Sequence, residues 1–128
     1  MSASARAKNL THRDPVGVGL QEALDALGDP VRRRLVRALA AVPDWTLPCG
    51  QFPVTVSPAT LSHHFTVLRA TGLLEQRDVG SRRFNRLRRP EFDAAFPGLL
   101  ALVLSEPDHR DPHAPLDTAP GGTEPGGD

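Results

Sequence analysis

The chain contains 128 residues, with 15 basic and 15 acidic side chains and a formal net charge of zero, so overall charge excludes neither a basic nor an acidic partner. Its length suits one domain, and a single cysteine excludes an internal disulfide framework. The sequence shows no secretory leader and no apolar run of membrane-spanning length, so we expect a cytoplasmic protein without a membrane partner.

The N-terminal part of the chain predicts a flexible arm followed by a helix. Residues 1–15 are polar and lack an apolar periodicity, which is typical of a segment without a packed core. Leu20, Leu24 and Leu27 recur at helical spacing, and Gly28 ends the segment. We therefore expect a folded domain from residue 16, whose first helix carries these three leucines as one apolar stripe.

A second helix is predicted after Asp29, because its side chain can cap a helix that begins at Pro30. The apolar positions recur at helical spacing until Pro43 and comprise Val31, Leu35, Leu39 and Val42. The helix also carries arginines that fit a solvated face, namely Arg33, Arg34 and Arg37. We do not expect these arginines to contact a partner.

The next segment, DWTLPCGQFPVTV at residues 44–56, does not have an ordinary helical sequence. It contains residues that interrupt helices, which are Pro48, Gly50 and Pro53. We expect an irregular segment in which Trp45 and Phe52 pack where further helical turns would otherwise lie.

The clearest helix begins at Pro58, because Ser57 supplies a cap and proline suits the first helical position. Gly72 ends it, so the predicted helix covers residues 58–71 and is about 20 Å long. The arc opposite its apolar face is small and polar and includes Ala59, Ser62, His63, Thr66 and Ala70. Such a rod fits a DNA major groove, which is about 12 Å wide, because small outer residues let the backbone approach the bases.

A β-hairpin is predicted directly after this helix. Residues 73–77 and 82–88 are strand candidates on either side of a four-residue turn that contains Gly80. The hairpin and its exit carry Arg77, Arg82, Arg83, Arg86, Arg88 and Arg89. Guanidinium groups must then project outward, which predicts a basic wing suited to binding phosphate through paired hydrogen bonds.

Residues 91–104 predict a final helix that is kinked or split at Pro97 and Gly98. Its apolar side chains occur all round the helix, which is unusual at the edge of a small domain. We therefore expect burial against a second subunit, which predicts a homodimer.

Residues 105–128 contain five Pro, four Gly and six acidic residues but one Leu, which predicts a disordered acidic tail. The tail holds His109 and His113, but a stable zinc site needs about four tetrahedral ligands, so we expect no metal. The sequence has no recognisable nucleophile and base arrangement and no glycine-rich phosphate loop. We expect neither an enzyme nor a cofactor.

The basic residues are concentrated in the centre of the chain. Residues 29–90 contain eleven arginines and four acidic residues, a local excess of seven positive charges. A compact basic centre is typical of a nucleic-acid-binding protein, whose affinity depends strongly on salt.

Two sequence segments and the arginine-rich hairpin resemble the ArsR/SmtB family of bacterial winged-helix repressors. The segments are LGDPVRRRLVRAL at 27–39 and SPATLSHHFTVLRATGLL at 57–74. The resemblance implies a mainly α fold with a small β-hairpin, a winged helix-turn-helix that dimerises through its first and last helices. It also implies a dimeric repressor on a palindromic operator, with half-sites about 34 Å apart.

The resemblance places Ser57, Thr60, Ser62 and His63 among positions that touch DNA in such proteins. The complete predicted DNA-binding set comprises Ser57, Ala59, Thr60, Ser62, His63, Thr66, Arg69, Arg77, Ser81, Arg82 and Arg83. His64 lies beside the apolar face, and we expect it to be packed and hydrogen-bonded instead.

The chain departs from the family pattern at the metal ligands. The family's metal sensors carry a cysteine pair before the recognition helix or Asp and His ligands on the last helix, and this chain has neither. Its lone Cys49 fits either a small core residue or a redox sensor whose oxidation releases DNA. Nearby arginines would favour the thiolate in the second case.

Two functions therefore remain open. The first is a dimeric repressor that binds double-stranded DNA, and the second is a winged-helix interaction module whose basic face binds an acidic protein. Small residues on the helical arc and arginines on the hairpin favour DNA. The releasing signal is unidentified; oxidation and a small apolar molecule at the dimer interface are both candidates.

Overall fold

The structure is a computed structural model that describes residues 10–107. Within this range it contains five α-helices and a small antiparallel sheet of three strands, which confirms a mixed, mainly α architecture. The helices are α1 (Leu20–Leu27), α2 (Pro30–Ala40), α3 (Pro58–Ala70), α4 (Arg89–Ala95) and α5 (Leu99–Leu104). The strands are β1 (Leu47–Pro48), β2 (Leu74–Val79) and β3 (Arg82–Leu87).

The flexible arm and the acidic tail that the sequence predicts fall largely outside the described residues. Residues 10–15, assigned to the arm, pack on the domain: Pro15 is buried, and the Arg13 amide donates to the Arg69 carbonyl at 3.1 Å. The folded unit therefore begins before residue 16. Every helix within residues 10–107 falls short of the length and apolarity needed to cross a bilayer.

Helix α1 packs through its small residues, and its leucines are mostly exposed. Ala23 and Ala26 are buried with Leu27, whereas Leu20 and Leu24 are 56% and 44% exposed. The predicted helix is confirmed, and of its leucine stripe only Leu27 packs in the core of the domain. The alanine face of α1 packs toward α2, and the short alanine side chains let the two helices lie close together. Leu20 and Leu24 lie outside this packed face and point toward solvent.

Helix α2 lies at the centre of the domain and contacts α1, α5 and β3. Its predicted cap is confirmed: Asp29 accepts hydrogen bonds from the amides of Val31 at 2.8 Å and Arg32 at 3.2 Å. Partial burial alone would raise the pKa of the Asp29 carboxyl, but these bonds and the Arg32 charge lower it.

The arginines of α2 are not solvated, which corrects the prediction for that helix. Arg33 Nε and Arg37 Nη1 each donate to Glu106 Oε1 at 2.7 Å. Arg34 is 8% exposed and donates from Nε to the Pro53 carbonyl at 2.7 Å. These bonds fasten the segment after α5 and the segment before α3 to the central helix. The hydrogen bond from Arg33 also lowers the pKa of Glu106.

The sheet has the strand order β1-β3-β2, so the predicted two-stranded hairpin was incomplete. Leu47 pairs with Asn85 and Pro48 with Phe84. The Asn85 side chain donates to the Leu47 carbonyl at 2.9 Å, which fixes the short strand at the edge. A two-residue strand that contains proline has no sequence signature, and proline is tolerated there because an edge strand can lack an amide donor.

The connections around α3 and the hairpin depend on two glycines. Gly72 ends α3 with a φ of 73°, as predicted, and Gly80 begins a two-residue turn with a φ of 63°. The turn is therefore shorter than the predicted four residues, because Val79 still pairs with Arg82. Glycine at the first position of a two-residue hairpin turn accommodates the positive φ without steric cost.

The predicted break in the last helix is confirmed between α4 and α5, where Gly98 has a φ of 87°. Phe92 and Leu100 are fully buried in the domain's own core, and Val103 is nearly so. Leu102 points away from that core and is 69% exposed. The final segment thus supplies both core residues and an exposed apolar side chain.

Candidate nucleic-acid interface

The N-terminal turn of α3 lies exposed at the surface of the domain. Ser57 Oγ accepts a hydrogen bond from the Thr60 amide at 3.1 Å, which confirms the predicted cap. The same hydroxyl lies 2.9 Å from Thr60 Oγ1. Ser57, Ala59 and Thr60 are all exposed, so the turn is held by its own cap and presents small side chains to solvent.

The remaining predicted residues on the outer arc of α3 lie on the same exposed side. Ser62, His63 and Thr66 are exposed, while Phe65 and Leu68 on the opposite face are buried. Thr66 Oγ1 donates to the Ser62 carbonyl at 3.0 Å, so its hydroxyl proton is used within the helix. Six residues form what we call the α3 arc: Ser57, Ala59, Thr60, Ser62, His63 and Thr66.

His64 has the structural role that the sequence predicts. It is 6% exposed, and its Nδ1 lies 3.2 Å from Arg32 Nη1. Arginine stays protonated and can only donate, so the neutral imidazole accepts through Nδ1. Arg32 also donates to the Ala26 carbonyl at 2.7 Å, and the pair thereby joins α3 to the first two helices.

The segment that precedes α3 contains one short 3₁₀ turn, Cys49–Gln51, in place of a full helix. Phe52 is buried against Phe65 with ring centroids 5.2 Å apart, which confirms its predicted packing role. Between α2 and α3 the chain therefore forms β1, this turn and irregular segments. The ring contact between Phe52 and Phe65 supports α3, the candidate recognition helix.

Two exposed arginines of the wing lie over aromatic rings. The Arg77 guanidinium is 4.0 Å from the ring centroid of Trp45, and that of Arg82 is 5.6 Å from the ring of Phe84. Within residues 10–107 neither arginine forms an ion pair. Stacking orients these groups and leaves their positive charge available. Ser81, also predicted to bind DNA, is exposed between them in the turn.

The other four wing arginines are paired with carboxylates, so the prediction of a wholly outward basic wing is wrong. Strand register places Arg83 opposite Asp78 and Arg86 opposite Glu75, and both pairs form salt bridges, at 2.9 and 3.0 Å. The remaining contacts join Arg86 and Arg88 to Glu91, and Arg89 to Asp93. These pairs reduce the net charge that the wing presents.

Arg69 is also held by hydrogen bonds within the domain, and its Nη2 donates to Thr66 Oγ1 of the α3 arc at 3.4 Å. It donates from Nε to the Thr11 carbonyl at 3.2 Å and from Nη1 to Gln76 Oε1. Burial lowers the pKa of Arg69, and the positive charge of Arg83 lowers it further. Arg69 therefore joins the N-terminal segment, α3 and the wing, and does not extend from the surface as a DNA contact would.

A buried amide pair in the sheet was missed by sequence reasoning. Gln76 and Asn85 face each other across β2 and β3 and are 4% and 1% exposed. Gln76 Nε2 donates to Asn85 Oδ1 at 2.8 Å and lies 3.1 Å from Cys49 Sγ. The backbone N–H of Gln76 donates to His12 Nε2 at 2.9 Å. The hairpin register places Gln76 and Asn85 opposite each other, so a correct prediction of the register would have predicted this contact.

Cys49 is half-buried, and its environment does not favour a thiolate. Burial raises the pKa of the thiol more than its hydrogen bonds and the nearby Arg83 lower it. This corrects the expectation that arginines would activate the residue. Sequence reasoning left structural and redox roles open, and the packing against Gln76 and Asn85 favours the structural one.

We expect iodoacetamide to alkylate Cys49 several-fold more slowly in the folded protein than in urea at pH 7.5. The reason is that a raised thiol pKa and partial burial both reduce the accessible thiolate. Mass spectrometry of timed samples measures the rate. Equal rates in the two states would show a reactive thiol in the fold and would restore the redox-sensor hypothesis.

The sequence matches no protein-family model, and no significantly similar curated protein was found. Within residues 10–107, no group of three or more His, Cys, Asp or Glu side chains is placed to hold a metal ion. His109 and His113 of the predicted tail lie outside that range. The candidate site therefore consists of the α3 arc and the two stacked arginines of the wing.

Proposed function

We propose that this chain is a dimeric, sequence-specific DNA-binding transcriptional regulator of the ArsR/SmtB type, with a winged helix-turn-helix fold. It acts as a repressor that an effector releases from a palindromic operator. One observation carries the proposal: a helix with an exposed, small and polar outer arc lies in the same domain as a hairpin with two arginines that no described carboxylate neutralises.

The α3 arc suits a major groove for steric and chemical reasons. Ala59 adds almost no bulk to the outer surface, so the helix backbone can approach the base edges. Ser62 and His63 are exposed and carry groups that can donate to or accept from bases. The positive end of the helix dipole lies at the exposed turn after Ser57, where it favours a phosphate.

The wing suits the phosphate backbone. A guanidinium that stacks on a ring uses its face, and the N–H groups of Arg77 and Arg82 then remain available at its edge. Each of these two arginines can form paired hydrogen bonds to one phosphate. The internal ion pairs of Arg83 and Arg86 keep the hairpin rigid and place the stacked residues.

The dimer is supported by the position of the exposed apolar side chains. Four of the five large hydrophobic residues that are exposed within residues 10–107 lie in or just before α1, or in α5. They are Val16, Leu20, Leu24 and Leu102. Both α1 and α5 pack on α2, so an interface through the first and last helices would cover these side chains.

A footprint of the purified chain on the DNA that flanks its own gene tests the proposal as a whole. We expect two protected half-sites centred about 34 Å apart, as a two-fold dimer requires. Affinity should fall steeply with salt as phosphate counterions are released. Absence of protection on every duplex at low salt would refute the function.

Replacing both Arg77 and Arg82 with Ala is expected to weaken duplex binding at least tenfold in low salt. Because each lost phosphate contact removes about 0.9 from the slope of log affinity against log salt, the slope should fall by nearly two. Fluorescence anisotropy across a salt series measures both values. The matched control is Arg89→Ala, since this residue pairs with Asp93 on α4. Equal binding by the double variant and the control would favour an acidic protein partner.

Leu102→Glu is expected to weaken self-association at least tenfold, because it places a charge in the proposed apolar interface. Sedimentation equilibrium measures the dimer dissociation constant. Val79→Glu is the control, since Val79 is 54% exposed at the end of β2 and outside that interface. A wild-type dissociation constant for Leu102→Glu would exclude α5 from the interface.

A further inference from the structure

A cavity of about 390 Å³ lies between α3 and the wing. It lies beside the irregular chain and the single 3₁₀ turn that precede α3. One wall is apolar and is formed by Val56, Pro58, Leu61 and Phe65. The volume is within the range of about 300–1,000 Å³ that is typical of small-molecule sites.

The cavity lining also includes two basic side chains, Arg69 of α3 and Arg83 of the wing. Gln76, which also lines the cavity, holds Arg69 by a hydrogen bond to its Nη1. No carboxylate pairs with Arg69 among residues 10–107, whereas Arg83 uses its Nε for Asp78. Burial lowers the pKa of Arg69, and the positive charge of Arg83, on the same cavity, lowers it further. An anion between them would relieve this repulsion.

We propose that this cavity binds a small aromatic carboxylate, whose ring contacts the apolar wall and whose carboxylate binds Arg69 and Arg83. The site is separate from the dimer surface of α1 and α5. The two parts of the ligand have different roles, because the apolar wall offers nothing to a charge and the two arginines favour an anionic group.

Occupancy of this cavity opposes DNA binding, a consequence that rests on the proposed function. Pro58 and Ser62 of α3 line the cavity together with Arg83 of the wing. A ligand between these elements fixes their separation and adds a negative charge beneath the surface that faces phosphate. The cavity is thus the effector site of the repressor.

The site is tested first without DNA, using 2-naphthoate as the probe and isothermal titration of the full chain. We expect saturable binding of one probe per chain, with 2-naphthamide at least tenfold weaker because it lacks the charge. Arg83→Gln should weaken 2-naphthoate about tenfold or more, whereas Arg89→Gln, the same charge change outside the cavity, should bind as wild type. Similar affinities for Arg83→Gln and Arg89→Gln would overturn the proposal.

A second variant tests the apolar wall. Val56→Phe fills part of the cavity and should weaken 2-naphthoate at least fivefold, with circular dichroism melts used to confirm folding. Unchanged binding by folded Val56→Phe would overturn the proposed location.

The regulatory step is then tested by adding 2-naphthoate, with 2-naphthamide as control, to the protein–duplex complex. Probe binding without release of DNA would overturn the effector role, and a chain that binds the probe but no duplex would refute the proposed function alone.

Discussion

Ala59→Glu is expected to reduce duplex affinity about a hundredfold and to leave the stability of the fold unchanged. Ala59 is exposed at the second position of α3, within the surface proposed to face DNA. A carboxylate there meets phosphate, and such like-charge contacts cost several kcal/mol; about 3 kcal/mol corresponds to the hundredfold loss. Anisotropy titration of an operator duplex measures the change.

Measuring the stability of Ala59→Glu shows whether a loss of duplex affinity comes from lost DNA contacts or from unfolding. A glutamate in the first turn interacts favourably with the helix dipole, by about 0.3–1 kcal/mol, so urea unfolding should show no loss. Ala94→Glu is the matched control, because Ala94 is exposed on α4, away from the α3 arc. Duplex affinity that falls equally in both variants would indicate a general charge effect and would contradict a specific role for α3.

Gly72→Ala is expected to destabilise the protein by about 3 kcal/mol. The φ of Gly72 is 73°, a left-handed conformation that costs other residues about 1–2 kcal/mol. An added Cβ would also lie 2.7 Å from the backbone nitrogen of Pro15, so the N-terminal segment must move, at about 1–3 kcal/mol. Pro15 is buried between this turn and α4, so moving it also disturbs packed residues and not only solvent-exposed ones.

Gly80→Ala separates the cost of the left-handed backbone conformation from the cost of the steric contact with Pro15. Gly80 has a φ of 63°, but a Cβ added there meets no atom within 4 Å. We expect a loss of about 1 kcal/mol, from the backbone conformation alone. Urea denaturation of both variants measures the difference. Equal losses would show that the close approach of Pro15 to Gly72 contributes nothing to stability.

The boundaries of the main elements could be predicted because local interactions set them. Asp29 and Ser57 cap the helices that follow within three residues, and Gly72 and Gly98 supply the positive φ that interrupts the chain. The α3 arc was predictable for the same reason, since helical spacing fixes which side chains share a face. Helical spacing also gave the stripe of Leu20 and Leu24, but it did not show that the alanine face of α1 packs on the domain instead.

The charge of the wing required the strand register and the tertiary structure. Composition gave the hairpin and its exit six arginines, but Arg83 and Arg86 form ion pairs across β2 and β3. Composition also could not show that Arg77 lies over Trp45, which is 32 residues away along the chain. A count of arginines therefore overestimates the positive charge that the wing presents to DNA.

The sequence by itself determined the helices, their caps, the hairpin and the small, polar outer face of α3. The tertiary structure alone decided that β1 joins the sheet, that Arg69 is held by hydrogen bonds within the domain and that a cavity separates α3 from the wing. The physical reason is the range of the interactions. Caps and turns act over a few residues, whereas pairs such as Arg33 with Glu106, 73 positions apart, exist only after the chain has folded.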